Sequence, residues 1–374
     1  MGIPPEHFFS ILKDNNVDFF TGVPDSLLKQ FCLCIDDNIS RVRHITAANE
    51  GNAVAIAAGY HLATEKLPMV YMQNSGFGNA INPLLSLCDP AVYSIPLLVL
   101  IGWRGEPGVP DEPQHIKQGK VQLNLLEAME IPYEIISTNN YEDSMNRAVK
   151  TAISNNMPVV LLIKKDIFDN YATPRKKNEN GRMGREEALD IILTHIDEKV
   201  IIVSTTGKTS REVFEIREKR NQSHQQDLLT VGSMGHCSSI ALGIALAKPY
   251  REVVCIDGDG AMLMHMGSLM TIASLRPKNF RHILVNNKVH ESVGGQDTAA
   301  KSINLSAIVE ATGASKMFNA ETPLELKENI KNFITCSGPS FLEVKIRPGS
   351  REDLGRPTIE PVDNKESFVR FLEK

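Results

Sequence analysis

The fold is decided by a stretch that begins Cys255-Ile256-Asp257-Gly258-Asp259-Gly260-Ala261 and ends Ile283-Leu284-Val285-Asn286-Asn287. Its apolar residues predict a short strand over Glu252 to Ile256 and a helix over Met264 to Leu275. They predict a second strand over His282 to Val285, which ends in Asn-Asn. A strand, a turn, a helix and a strand in this order are typical of an α/β fold with a parallel sheet.

The same stretch carries residues that suit a metal and a phosphate. Glycines let backbone N–H groups approach a phosphate closely, and a following helix points its positive end at it. Asp259 supplies a hard oxygen ligand, and an Asn at the next strand end supplies another, which suits Mg²⁺ shared with a diphosphate. A lone Gly-Asp-Gly is most often an ordinary turn. The 25 residues that separate it from Asn-Asn, with a strand before each, make the pattern more specific.

Composition limits the classes of function. The 374 residues suggest two domains, and 42% apolar residues are enough to build real cores. The net charge of −5 and the lack of a basic block argue against nucleic acid as a partner. We expect no membrane segment, since the longest apolar run, Ile95 to Ile101, is far too short. The N-terminus shows no secretory signal, so we expect a cytoplasmic protein whose six cysteines are reduced.

Predicted strands alternate with predicted helices through two halves of the chain. This alternation predicts two doubly wound parallel-sheet domains, residues 1–165 and 184–374. Residues 166–183 break the pattern and contain the basic triplet Arg175-Lys176-Lys177, so we interpret them as an exposed linker. The loop Gly102 to His115 is rich in Gly and Pro and holds the only Trp, which makes it a candidate lid. Each half also has a helix of small residues after an early strand.

Two acidic residues of the first half follow predicted strands. Asp25, or its neighbour Ser26, could simply cap the helix predicted over Leu27 to Ile35, or it could face a site. Glu50 begins the small-residue helix, where a carboxylate is favoured by the helix dipole. Spacing alone leaves both possibilities open for each acid.

Several motifs together carry a family resemblance. The chain resembles thiamine-diphosphate (ThDP)-dependent 2-oxo acid decarboxylases of a compact type, in which a pyrimidine-binding domain is followed directly by a diphosphate-binding domain. It lacks the central third domain of some larger members. The stretches that carry the likeness are Gly22-Val23-Pro24-Asp25-Ser26, Ala48-Asn49-Glu50-Gly51-Asn52-Ala53, Gln73-Asn74-Ser75-Gly76, Gly232-Ser233-Met234-Gly235-His236 and Asn286-Asn287-Lys288-Val289-His290-Glu291-Ser292-Val293-Gly294-Gly295-Gln296.

The resemblance implies a role for each matching residue. Glu50 would bind the aminopyrimidine and shuttle a proton, Met234 would hold the cofactor bent, and the Gly232 carbonyl would accept from its amine. Mg²⁺ would be bound by Asp259, Asn287 and the Val289 carbonyl, while Asn286 would only stabilise the turn. The remaining cofactor-binding positions would be Ser75, Gly76, Thr206, Gly207, Gly258, Gly260 and Ala261.

The reacting groups are less firmly indicated. Asp25 and His115 are candidates for moving protons, because each lies on a loop expected to face the reacting carbon, although a loop His is often merely exposed. An anionic substrate needs cationic or donor side chains. Arg104 and Lys120, with His290 behind them, are candidates from loop position, although an Arg on a surface loop is usually solvated.

The likeness is greatest to the branch of the family that acts on small anionic 2-oxo acids. The leading expectation is decarboxylation of 3-phosphonopyruvate to phosphonoacetaldehyde, as a step of phosphonate (2-aminoethylphosphonate) biosynthesis. Sulfopyruvate is the rival substrate, and the single fused chain favours the phosphonate. A carboligase and a non-catalytic Mg²⁺–nucleotide module would also be compatible with parts of the pattern. The family shares each cofactor between two subunits, which implies at least a homodimer.

Overall fold

The computed structural model describes residues 2–174 and 183–374. These residues form two compact units, one within Met1–Arg175 with Ser292–Gln296, and the other within Lys176–Glu291 with Asp297–Lys374. Each unit is built on one six-stranded sheet whose strands pair in parallel. The predicted fold class, two doubly wound parallel-sheet domains, is therefore confirmed. Of the predicted linker, residues 175–182 with the basic triplet lie outside the described residues.

The first unit alternates strands and helices from its start. Its strands are β1 Phe20–Gly22, β2 His44–Thr46, β3 Met69–Gln73, β4 Leu97–Gly102, β5 Tyr133–Ile136 and β6 Pro158–Ile163. Its helices are α1 Pro5–Asp14, α2 Lys29–Asn38, α3 Glu50–Thr64, α4 Phe77–Pro83, α5 Pro113–Ala128 and α6 Tyr141–Asn155. The strands lie in the order β2-β1-β3-β4-β6-β5.

The second unit repeats this plan. Its sheet strands are β7 Ile201–Ser204, β8 Asp227–Leu229, β9 Val253–Gly258, β10 Phe280–Asn286, β13 Lys316–Ala320 and β14 Ser340–Lys345, and two short strands, β11 Val289–His290 and β12 Gln296–Asp297, lie between β10 and β13. Its helices are α7 Arg185–His195, α8 Lys208–Lys219, α9 Cys237–Ala247, α10 Asp259–Met264, α11 Ser268–Leu275, α12 Leu305–Ala311, α13 Pro323–Thr335 and α14 Pro361–Leu372. The strands lie in the order β13-β14-β10-β9-β7-β8. When these six strands are numbered along the chain and read from β8, the order is 2-1-3-4-6-5, the same as in the first sheet.

Alternating residues send the two faces of each sheet into separate cores. In β4, Leu98 and Leu100 pack with residues of α1, α2 and α6, whereas Val99 and Ile101 pack with residues of α3, α4 and α5. All six residues of β4 are buried, as a strand covered on both faces requires. Ile167 and Phe168, at the start of the predicted linker, pack in the first of these cores.

Two sequence-based expectations about local structure were wrong, and one helix was missed. The helix expected over Met264 to Leu275 is two helices, and the first begins already at Asp259. His115 lies not in the Gly/Pro loop but in the first turn of α5, because Pro113 takes the first helical position, where its missing N–H costs nothing. Helix α14 was not predicted at all. The six cysteines are free thiols, as expected, and no helix in the described ranges is both long and apolar enough to cross a membrane.

Candidate active site

Asp25 is buried at the carboxyl edge of the first sheet, just beyond β1. The Gln73 side-chain amide, at the end of β3, donates to its Oδ1, and the Leu27 N–H donates to its Oδ2 at 2.9 Å. Gly102 ends β4 beside it, and a Cβ at Gly102 would overlap Oδ2. Burial raises the pKa of Asp25, although these hydrogen bonds oppose the rise. Asp25 does not cap a helix, because α2 begins only at Lys29, so the capping interpretation does not hold.

Glu50 is the first residue of α3, and its carboxyl group is also buried. The helix is capped instead by Asn49, whose side chain accepts from the Asn52 N–H at 2.9 Å. Asn79 donates to Glu50 Oε2 at 2.8 Å, and Gly76 leaves the space that Oε1 fills. Burial raises the pKa of Glu50 despite the Asn79 hydrogen bond. A carboxyl group whose pKa is raised holds its proton more readily, which suits a group that takes up and returns a proton.

Ser75 and Gly76 belong to the short 3₁₀ helix Asn74–Gly76, which lies next to both acids. Ser75 Oγ donates to Gln73 Oε1 at 2.6 Å, and the same Gln73 holds Asp25. Gly76 contacts Glu50 through the space described above. Of these two predicted cofactor-binding residues, Ser75 therefore lies beside Gln73, which holds Asp25, and Gly76 lies beside Glu50 itself.

Arg104 is held by its own loop. Its guanidinium donates to Asp111 through both Nε, at 2.8 Å, and Nη2, and Nη1 donates to Ser26 Oγ at 3.0 Å. The Asp111 carboxylate raises the pKa of Arg104 further. The positive charge predicted to meet the substrate is thus already paired within the first unit.

His115 and Lys120 lie on α5, but they do not share a face, since five residues turn a helix by well over a right angle. His115 Nδ1 is buried, with no hydrogen-bond partner among the residues described. Burial, with Arg104 nearby, lowers the pKa of His115 to about 4, so the ring is neutral at pH 7. Lys120 is exposed.

In the second unit, neighbouring strand ends bring the predicted diphosphate residues together. Ser204 of β7 pairs with Ile256 of β9, so the turns after these two strands lie side by side. One turn contains Thr206 and Gly207, whose φ of 92° lies in the region that favours glycine. After β9, the chain passes directly from Gly258, the last strand residue, into the first turn of α10. That turn contains Asp259, Gly260 and Ala261.

The predicted metal ligands meet at the same edge. Asp259 accepts from Thr298 Oγ1 at 2.5 Å and from the Asn287 N–H at 3.3 Å, and burial raises its pKa to about 6. Asn287 Oδ1 accepts from the Val289 N–H at 3.1 Å. Asn286 faces elsewhere, because its amide donates to Glu343 and its oxygen accepts from the Lys288 N–H. A buried carboxyl group with only neutral donors beside it, together with amide oxygens, fits a hard divalent cation.

Gly232 and Met234 lie in the turn after β8, where Ser233 and Gly235 have positive φ. We call the predicted diphosphate and metal residues, Thr206, Gly207, Gly258, Asp259, Gly260, Ala261, Asn287 and Val289, the cradle. The His290 ring lies beside it, since a Cβ at Gly260 would stand 3.1 Å from that ring. Burial lowers the pKa of His290 to about 4, so this ring, like His115, is neutral at pH 7.

Several residues that hold this site were not predicted from the sequence. Asn79 supports Glu50, Thr298 supports Asp259, and Glu291 accepts from the Asn287 amide at 2.8 Å. Gln73 and Glu291 stand inside the quoted motifs, so their positions carried a signal. Asn79 and Thr298 lie outside them, and only the folded chain brings them to the acids.

Two family models match the chain. The family described as "Thiamine pyrophosphate enzyme, N-terminal TPP binding domain" matches residues 5–127, and the corresponding C-terminal TPP binding domain matches residues 205–344. These two ranges fall in the two halves that carry the two parts of the candidate site.

Individual relatives cover nearly all of the chain. It is 33% identical to a phosphonopyruvate decarboxylase of Streptomyces viridochromogenes, over 88% of this chain and 85% of that protein. It is 32% identical to a phosphonopyruvate decarboxylase of Streptomyces hygroscopicus, over 94% and 89%. It is 28% identical to a sulfopyruvate decarboxylase of Methanosarcina acetivorans, over 99% and 97%.

Proposed function

Because the chain belongs to the thiamine pyrophosphate-dependent decarboxylases, which are carboxy-lyases, we propose that it converts 3-phosphonopyruvate to phosphonoacetaldehyde and CO₂ with ThDP and Mg²⁺. The observation that carries the proposal is the pairing of two site halves. Buried Glu50 suits an aminopyrimidine, and the Asp259–Asn287 cradle suits a diphosphate with its metal. A bare nucleotide would use only the second half, so we set the nucleotide-binding module aside.

The cofactor and metal would be held by residues already described. Asp259 and the Asn287 and Val289 oxygens would bind Mg²⁺, and Thr206, Gly207, Gly258, Gly260 and Ala261 would line the diphosphate. Gly232, Met234, Ser75 and Gly76 would contact the rest of the cofactor. When bound, ThDP supplies the electron sink for loss of CO₂ from a 2-oxo acid.

The acids of the first unit would handle the protons. Glu50 would hold a proton at the aminopyrimidine ring, which its raised pKa favours. Asp25, whose pKa is raised by burial, would give a proton to the carbon that loses CO₂. His115, whose Nδ1 has no hydrogen-bond partner among the described residues, is the second candidate for the proton transfers.

The substrate anion limits the roles of the candidate basic residues. Arg104 is paired with Asp111, and the His290 ring is neutral at pH 7. Of the three candidates, Lys120 therefore brings a charge that no carboxylate within the described ranges neutralises, and His290 would contribute a neutral hydrogen-bond donor. Arg104 would act by shaping the loop beside Asp25.

Sulfopyruvate stays the second candidate substrate. The fused chain does not favour the phosphonate after all, since a sulfopyruvate decarboxylase similar to this chain also spans both halves. Two relatives at 32–33% identity bear the phosphonopyruvate name, which supports our choice.

The test is CO₂ release from 3-phosphonopyruvate and sulfopyruvate, each with ThDP and Mg²⁺. We expect a kcat/KM for the phosphonate at least tenfold higher, with phosphonoacetaldehyde as product, and a reversed preference would overturn the substrate assignment. The same assay with an added 2-oxo acid acceptor tests for a carboligase, which requires a carbon–carbon coupled product.

We also propose a homodimer or larger assembly in which two subunits complete each site. The family resemblance supports it, and the candidate residues are divided between two compact units.

A further inference from the structure

The amide of Asn287 is fixed by a charged network that the sequence did not predict. Its Nδ2 donates to Glu291 Oε2 at 2.8 Å, while its Oδ1 accepts from the Val289 N–H at 3.1 Å. A side-chain amide has one donor end and one acceptor end, so committing the nitrogen to a carboxylate decides where the oxygen points. The oxygen keeps one lone pair, which is what a hard cation requires.

Glu291 is itself held firmly. Lys208 Nζ donates to its Oε1 at 2.8 Å, and Arg185 Nη1 donates to its Oε2 at 3.0 Å. These two ion pairs hold Glu291 as a carboxylate, and a carboxylate can only accept hydrogen bonds.

The cations of this network are anchored in turn. Arg185 makes two further hydrogen bonds to Glu212, at 2.7 and 3.0 Å, and Lys208 donates to Ser350 Oγ at 2.7 Å. Two cations and two carboxylates balance, so the cluster stays neutral although it is largely buried. A buried group that is fully paired keeps one geometry, since any rearrangement leaves a charge without its partner.

The network also joins two parts of the cradle. Lys208 directly follows Gly207, in the turn proposed to line the diphosphate, and Glu291 lies four residues beyond Asn287. Through the Lys208–Glu291 contact, the start of α8 is tied to the loop that carries the metal ligands.

We infer that Glu291 is a positioning residue, which orients the Asn287 oxygen toward the metal and couples the metal loop to the diphosphate turn. The inference rests on the proposed function. Such outer contacts typically change metal affinity by about 10–100-fold when they are removed.

The test compares Glu291→Gln with Glu186→Gln. Glu186 also pairs with one Lys and one Arg, Lys219 and Arg351, within the second unit. Glu186→Gln therefore removes a similarly paired negative charge away from the cradle and is the matched control. Titration calorimetry measures the dissociation constant of ThDP over a series of Mg²⁺ concentrations. In Glu291→Gln a neutral amide no longer dictates the Asn287 orientation, and we expect the Mg²⁺ requirement to rise about 10–100-fold.

The defect should lie in binding and not in the reaction. At saturating Mg²⁺ and ThDP, we expect kcat of Glu291→Gln within about threefold of the parent, and Glu186→Gln should bind like the parent. An unchanged Mg²⁺ requirement in Glu291→Gln would overturn the inference. A parent protein that binds no ThDP with Mg²⁺ would instead overturn the proposed function.

If Glu291→Gln does not fold, Lys208→Met decides. It removes one of two cations and leaves the Arg185–Glu291 pair, so we expect a smaller rise in the same direction, and no rise would reject the inference.

Discussion

Gly102 faces Asp25 so closely that a methyl group on Gly102 would overlap the Asp25 carboxylate oxygen Oδ2. The glycine ends β4 and the acid follows β1, and β3 lies between these strands and pairs with both, so this space depends on the register of all three. The space for a carboxyl group that we propose to be catalytic is thus partly made by the absence of a side chain.

Gly102→Ala should therefore damage activity and stability together. The new methyl group must displace Asp25, and overpacking of this kind costs about 1–3 kcal/mol of unfolding free energy. We expect CO₂ release to fall at least tenfold, with the loss of stability measured by urea unfolding.

Gly59→Ala is the matched control. Gly59 lies inside α3 with open space where a Cβ would be. Alanine in a helix interior should raise the free energy of unfolding by about 0.5–1 kcal/mol. Equal losses in both variants would contradict the close contact at Gly102.

Glu50→Gln should abolish turnover without unfolding the protein. A glutamine keeps the size of the side chain but cannot carry a transferable proton, and general acid–base catalysis contributes about 10²–10⁴-fold. We expect kcat/KM to fall by at least about 10²-fold, with Glu127→Gln, an exposed residue of α5, as the control. Full activity in Glu50→Gln would reject the proposed role.

The positions of the candidate residues in the fold could be predicted from the sequence better than their contacts. Glu50, Asp25 and Asp259 could be found because each follows a strand in a recognisable motif, and parallel strands deliver such residues to one edge. The pairing of Arg104 with Asp111 could not be found, because it depends on how a Gly/Pro-rich loop turns back on itself. For the same reason His115 was placed in the loop and not in the helix that Pro113 begins.

Removing the metal should stop the reaction reversibly. We expect exhaustive chelation to abolish CO₂ release and added Mg²⁺ to restore it, because Asp259 and its neighbours offer only hard oxygens. Asp259→Asn removes the one charged ligand and should raise the Mg²⁺ requirement at least tenfold. Activity that survives chelation would show that the cradle works without a metal.

The pH dependence of stability should report the buried ring of His115. Its pKa is lowered from 6.5 to about 4, so the unfolded chain takes up a proton that the folded chain refuses. This contribution to stability is complete above pH 6.5 and is lost as the pH falls toward 4.

His115→Gln should flatten the fall in the thermal unfolding midpoint between those pH values. Because His115 is only partly buried, the change should be modest. A profile identical to the parent's would mean that the ring is solvated in solution.

Shared sites should be visible by mixing inactive proteins. Glu50→Gln damages the first unit and Asp259→Ala the second. If two subunits complete each site, a mixed dimer has one site with both defects and one with neither. Unfolding and refolding an equal mixture should then restore about a quarter of the parent activity.

Either variant refolded alone is the control and should stay inactive. A mixture that also stays inactive, although size measurements show mixed dimers, would place each whole site within one subunit.

The two sheets share one strand order, and neither takes a strand from the other half. A shared strand order is what two copies of one ancestral unit would keep. In the function that we propose, one unit supplies acids that move protons and the other supplies oxygens that hold a metal. Two separately translated halves could then reassemble the same enzyme, because the covalent join adds no strand to either sheet.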